Sequence, residues 1–369
     1  MRKTPVLSEL KRQKHSIISR YMKASNATGL WQVCNTLLPL ALLWWPTVWS
    51  IGYSWWLTAA LILLMSLFTL RVLVLMHECG HGSLFRTQRL NRAFGFVFGV
   101  VAGMPQYVWS QHHAFHHATN GDWEKYRGPL TTPSTGEYSA LNRKQKRLFK
   151  ITRSLPMAPL GGFVYLLFNP RFNWLRGSIA MLVYAVRRKL QQPSVPLRAH
   201  IASYQTRLWN SSKEYRHMTW NNIVLLSLWA LMIWSVGAGP FFVVYLTTVS
   251  IAGAGGIILF TVQHNFEHAY ATDSKRWDHD VGAIHGTSFL QFPAWLNWFT
   301  ANIAYHHVHH LSARIPNYRL AACHRDNASM FTEVKRVKLS EIRYALKCII
   351  WDTDAERIIS MAEYERQPQ

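Results

Sequence analysis

Two long stretches of this chain carry no charge. Between Lys23 and Arg71 lie 47 residues without an Asp, Glu, Lys, Arg or His, and between His217 and His264 lie 46 more. A helix crosses a bilayer core with about 20 apolar residues, so each stretch has the length of two crossings and a turn. The pattern predicts two helical hairpins. Their spans fall at 30–49 and 55–76, turning near Gly52, and at 221–236 and 240–262, turning at 237–239.

Charge then orients the hairpins. The 369 residues hold 40 Lys and Arg against 18 Asp and Glu, a formal net charge of +22, although 49% of the chain is hydrophobic. Neither hairpin turn contains a charge. Seven of the cations precede residue 24, Arg71 stands alone, twenty run from residue 77 through Arg216, and twelve follow His264. By the positive-inside rule the open ends of both hairpins, and both termini, are expected to be cytoplasmic. Trp44, Trp45, Trp49, Trp55 and Trp56 crowd the first turn, where indoles suit either the headgroup region of the far face or core packing.

Three shorter apolar stretches, 94–104, 155–168 and 178–186, are expected to be interfacial or re-entrant. Gly95, Gly99 and Gly103 recur every fourth residue in the first, allowing close helix approach or flexible loop packing. Residues 1–29 are basic and polar without an apolar run, so a cytoplasmic N-terminal segment without a signal sequence is expected. From Lys335 onward both signs mix, and residues 326–369 are expected to form a polar, helical cytoplasmic tail. Cys34, Cys79, Cys323 and Cys348 offer no disulfide framework. The run RKQKR at 143–147 suits a solvated face, anionic lipid headgroups or an acidic protein. No nucleic-acid partner is expected.

Twelve of the 18 histidines occupy four boxes: HECGH (His77, His81), HHAFHH (His112, His113, His116, His117), QHNFEH (His264, His268) and HHVHH (His306, His307, His309, His310). Residues three and four apart share one face of a helix. His77 with His81, and His264 with His268, make i, i+4 pairs. His113, His116 and His117 make an i, i+3, i+4 triplet, which His306, His309 and His310 repeat. Imidazole at such spacing is a metal-ligand set, and His112 and His307 fall outside the pattern. Ten candidates exceed the need of one four-coordinate zinc; two metals sharing them would each receive four or five nitrogens. Glu78, Asp122, Glu124 and Glu267 are placed either to orient the rings through their second N–H groups or to serve as surface charge. The solitary His15, His200, His217, His279, His285 and His324 read as ordinary surface or packing residues.

HECGH also satisfies the HExxH pattern of zinc proteases, but that reading leaves the ten histidines of the other boxes unexplained, beyond one further ligand. A metal transporter would place ionisable groups inside the spans, where the sequence has only Cys34, Tyr53 and Tyr245.

The boxes in this order resemble the HX3-4H, HX2-3HH and (H/Q)X2-3HH boxes of the membrane-bound fatty acid desaturases. The likeness extends through HECGHGSLF, HHAFHHATNGDWEKYRG, VQHNFEHAY and FPAWLNWFTANIAYHHVHHLSARIPNYRL. It covers residues 30 to about 325 and is similar to the bacterial acyl-lipid branch that includes omega-6 (delta-12-like) and delta-5 enzymes. The resemblance implies an all-α integral membrane protein. Four transmembrane helices form two hairpins, with short interfacial helices and a cytoplasmic helical cap holding a di-metal site. It implies two iron ions held by His77, His81, His113, His116, His117, His264, His268, His306, His309 and His310. The second box also permits His112 in place of His113.

The implied activity uses O2 to remove hydrogen from two adjacent methylenes of a membrane-lipid acyl chain, leaving a cis double bond. A hydroxylase or monooxygenase of alkyl or carotenoid substrates shares the same boxes. Four scattered cysteines supply no ferredoxin-type ligand run, so the two electrons required would come from a separate donor, and the basic cytoplasmic face suits an acidic ferredoxin rather than a cytochrome b5. The bacterial cytoplasmic membrane is the expected location. By the same analogy an apolar tunnel would be lined from residues 245–260 and 295–299.

Overall fold

The computed structural model describes residues 4–128 and 130–367. Helix α1 (Pro5–Tyr21) leads into α2 (Asn26–Ser50) and α3 (Trp55–His81), an antiparallel pair turned at 51–54. Next come α4 (Gln88–Ala102), α5 (Gln106–Thr119), α6 (Thr135–Ser139), α7 (Arg143–Thr152), α8 (Ala158–Phe163) and α9 (Asn169–Gln191). Then α10 (Leu197–Ser203) precedes the second long pair, α11 (Ser212–Val236) and α12 (Ala238–His264), which turns on Gly237 at φ 84°. Helices α13 (His279–His285), α14 (Ala294–Phe299), α15 (His306–Leu311) and α16 (Asn317–Asp326) follow.

The four predicted spans fall inside α2, α3, α11 and α12. Helices α3, α11 and α12 are long and apolar enough to cross a membrane. Helix α2 carries no charge at all, but Gln32, Asn35, Pro39, Pro46 and its tryptophans dilute its hydropathy. Trp45, Trp49, Trp55 and Trp56 are exposed, whereas Trp44 packs against Phe241.

The stretches at 155–168 and 178–186 are not separate pieces. They lie on one helical run from Leu155 to Gln191, interrupted by a π-helical turn at Val164–Phe168, and this run meets α7 at 67°; counted as one span, the bent pair would make a fourth. The run continues through a charge because Arg171 is buried usefully. Its guanidinium donates to Gly103 O, to Leu166 O at 3.2 Å and to the Asn221 and Asn222 side chains at 2.9 and 2.7 Å. A bulge frees a carbonyl that a buried structure must pair, and Arg171 pairs it.

Helix α8 lies directly against α12. A Cβ on Gly162 would stand 2.6 Å from Ser250 O and Ala254 N, and one on Gly253 would stand 2.7 Å from Gly162 Cα, so only glycine permits this approach. Gly95 serves α3 similarly: a Cβ there would meet the Cys79 Cβ at 3.1 Å.

The chain after residue 326 departs from the expected polar helix. Strand β2 (Lys335–Lys338) pairs in parallel with β1 (Ser288–Gln291), and β3 (Cys348–Asp352) pairs antiparallel with β4 (Arg357–Ser360). CIIWD and RIIS are rich in β-branched residues, which favour strands, and Ile350, Ile358 and Ile359 are fully buried. The fold is therefore predominantly helical with two small sheets rather than all-α. Helix α1 is docked too, burying Leu7, Leu10, Ile17 and Ile18 and pairing Lys11 with Asp278 and Lys14 with Asp280.

Candidate metal centre

Two long helices end at the site. Helix α3 carries His77 and His81 on its last turn and stops because Gly82 takes φ 68°, a left-handed cap that glycine adopts without strain. Helix α12 ends on His264. Between them, α5 presents His113, His116 and His117, and α15 presents His306, His309 and His310.

Nine of the ten expected ligands converge in two groups. His77, His81, His113, His117 and His309 form one; His116, His264, His306 and His310 form the other. Within each, one nitrogen per ring lies within 4.8 Å of the rest. The Nε2 atoms face one another: 3.3 Å for His77 and His81, 3.0 Å for His113 and His117, 3.1 Å for His117 and His309, 3.2 Å for His116 and His310, and 2.9 Å for His264 and His306. Two imidazoles can share one proton, but four or five lone-pair nitrogens cannot satisfy each other pairwise; a cation can serve them all. The donor set thus fits two metal ions.

The tenth, His268, is a correction. It is exposed, at φ 66°, with Nδ1 against the Arg357 guanidinium and its backbone N–H donating to Ile358 O at 3.0 Å. The i, i+4 pairing with His264 fails because the helix ends at His264 and the chain turns away. His112 is exposed, so His113 is the second box's inward residue. His307 is buried but bonds away from the clusters, to His324 Nδ1 at 2.8 Å.

Burial holds His113, His116, His117, His306, His309 and His310 well below the usual imidazole range, and repulsion from neighbouring rings adds to it. They are neutral at pH 7, the form that ligates metal.

Outer contacts orient the rings. His77 Nδ1 donates to Glu78 Oε1 at 3.1 Å, while Glu78 Oε2 accepts from Ser83 Oγ and the Asn317 backbone N–H, both at 3.0 Å. His264 Nδ1 donates to Gly286 O at 3.1 Å. Of the four acids expected near the rings only Glu78 takes this place; Asp122 and Glu124 hold Ser274, and Glu267 accepts from Tyr344. The roles of Ser83, Gly286 and Asn317 carried no sequence signal, since each acts through a backbone group or a hydroxyl brought in by folding.

One flank of the site is apolar. Trp109 stacks on His113 with ring centres 4.5 Å apart, and Phe260 and Tyr126 lie 4.9 and 5.0 Å from His116. Trp298 and Phe299 pack instead around Phe68. A separate cleft of about 300 Å3 with a mostly polar lining reaches His81 between Arg86 and Arg314.

The profile described as "Fatty acid desaturase" matches residues 53–338. A fatty acid desaturase of Bacillus subtilis is 28% identical over 352 residues, covering 95% of this chain and 91% of that protein. An endoplasmic reticulum omega-3 fatty acid desaturase of Vigna radiata is 22% identical, covering 80% and 73% of the two chains. A chloroplastic, temperature-sensitive sn-2 acyl-lipid omega-3 desaturase (ferredoxin) of Arabidopsis thaliana is 24% identical, covering 67% and 51%.

Proposed function

Since the chain belongs to the fatty acid desaturase family, and is therefore an oxidoreductase, we propose that it introduces a cis double bond into acyl chains of membrane lipids at a histidine-held pair of iron ions. The observation that carries this reading is the division of nine imidazoles into groups of five and four. Such a pair supplies, when bound, the activation of O2 that hydrogen removal from an unactivated methylene requires. His77, His81, His113, His117 and His309 would hold one ion, and His116, His264, His306 and His310 the other. Each set leaves its ion room for a further ligand.

The residues around the metals do the rest. Glu78 and Gly286 O fix the Nδ1–H tautomer of His77 and His264, so their Nε2 lone pairs point inward. Trp109, Phe260 and Tyr126 keep bulk water from one side and offer an apolar wall for a methylene chain. Since the methylenes of a chain are chemically alike, that wall selects the reacting pair by position.

Helices α2, α3, α11 and α12 are proposed as two transmembrane hairpins, with the termini and the metals on the cytoplasmic side of a bacterial inner membrane. Electrons come from a separate, acidic ferredoxin. The cleft over His81 supports this: Arg86 and Arg314 flank it and, among the described residues, no carboxylate lines it.

Gas chromatography of lipids from a host expressing the protein tests the reaction. A new alkene that depends on the protein is the expected result; hydroxylated chains in its place would favour the oxygenase reading.

A further inference from the structure

A second groove, unrelated to the metals, lies between α4 and α11. It measures about 540 Å3 and is lined by Phe96, Lys213, Arg216, His217, Trp220 and Val224. Five of these six come from α11, at spacings of three and four, so they form one helical face. That face changes character along its length.

Its first two turns are cationic. Lys213 and Arg216 are exposed, and among the described residues neither forms an ion pair. The nearby acid, Glu214, is buried and accepts from the Asn210 N–H at 2.7 Å, so it does not reach the groove. Helix N-termini carry partial positive charge and favour anions. Basic residues packed at that end of α11 therefore repel both the helix terminus and one another, and an anion would relieve both.

The next two turns are apolar. Trp220 is 60% exposed and Val224 39%, on a helix apolar enough to span a membrane. From Lys213 to Val224 the helix rises about 16 Å, the reach of a headgroup with the first part of an acyl chain. The cationic end is also packed against α5. Tyr107 stacks on His217 at 4.7 Å, and Lys213 Nζ lies 4.4 Å from the centre of the Tyr107 ring.

We propose that this groove seats an anionic glycerophospholipid, with its phosphate between Lys213 and Arg216 and an acyl chain along Trp220 and Val224. Charge-assisted N–H donors on a phosphate make strong, directional bonds, and the apolar face supplies what a free phosphate could not use. The inference rests on the proposed membrane placement of α11 but not on the chemistry of the metals.

Native mass spectrometry of the full chain in detergent, titrated with phosphatidylglycerol or phosphatidylcholine, tests it. The expected result is preferential retention of phosphatidylglycerol. In the double variant Lys213→Gln/Arg216→Gln that retention weakens about 30-fold, at roughly fivefold per cation, with iron content unchanged. Trp220→Ala weakens it too, whereas Lys144→Gln/Arg147→Gln on α7 leaves it intact. Equal retention of both lipids, an undiminished preference in the double variant, or equal loss in the α7 variant would overturn the site. Full competition by inorganic phosphate would also overturn it, by reducing the groove to a simple anion site. A chain that binds neither lipid but keeps its iron would refute the membrane placement while leaving the metal reading standing.

Discussion

His309 reaches across the site from α15, its Nε2 3.1 Å from that of His117, and it belongs to the five-nitrogen group. Its replacement by alanine removes a ligand without disturbing the apolar core, so product formation is expected to fall at least about 100-fold, measured as alkene per mole of protein. His268→Ala is expected to leave activity within about twofold, because that ring contacts Arg357 rather than the clusters. Glu78→Gln keeps the shape but sets an amide N–H where a carboxyl oxygen accepts from His77 or from Ser83 and Asn317, and should weaken metal affinity about 10- to 100-fold in a chelator competition.

The pH dependence follows from the depressed imidazoles. Above an unfolded value of about 6.5 they are neutral in both states and contribute no pH dependence. Below it the unfolded chain takes up protons that the buried rings of His113, His116, His117, His306, His309 and His310 refuse, so the folded site loses stability as pH falls. Metal should be retained at pH 7.5 and released progressively from pH 6.5 to 5, as followed by metal content after gel filtration.

At the scale of elements, legibility tracked the length of the signal. The long helices were readable because a membrane imposes an uninterrupted uncharged run, and the boxes because i, i+3 and i+4 spacing has one geometric meaning on a helix. His268 was misplaced because nothing in QHNFEH announces that α12 stops at His264. The helix from Leu155 to Gln191 looks like two pieces in the sequence because Arg171 resembles an interruption, while its partners, Asn221 and Asn222, stand about fifty residues away. The strands were missed because each has only four or five residues, and Ser288 finds its partner at Lys335. Contact between α8 and α12 depends on paired glycines. Gly253→Leu would force the backbones apart and is expected to destabilise the protein by about 3 kcal/mol or more, seen as a lowered thermal midpoint in detergent; an unchanged midpoint would mean that this contact is dispensable.

The whole molecule joins two solvents. In the proposed arrangement the apolar helix pairs hold the last turns of α3 and α12 at a fixed height, beneath a cap of short helices and two small sheets. In that proposed membrane arrangement Tyr53 and Gly239 lie on the far face and Arg143 on the near one. Single cysteines at Tyr53 and Gly239 should react with an impermeant thiol reagent from outside the cell, and one at Arg143 only after the membrane is opened.

The number and identity of the metals held by this frame test the account most directly. Elemental analysis of the purified protein should find about two irons per chain, retained by His268→Ala and reduced in His309→Ala. A single ion, stoichiometric zinc, or a His309→Ala protein with its full iron content would contradict it.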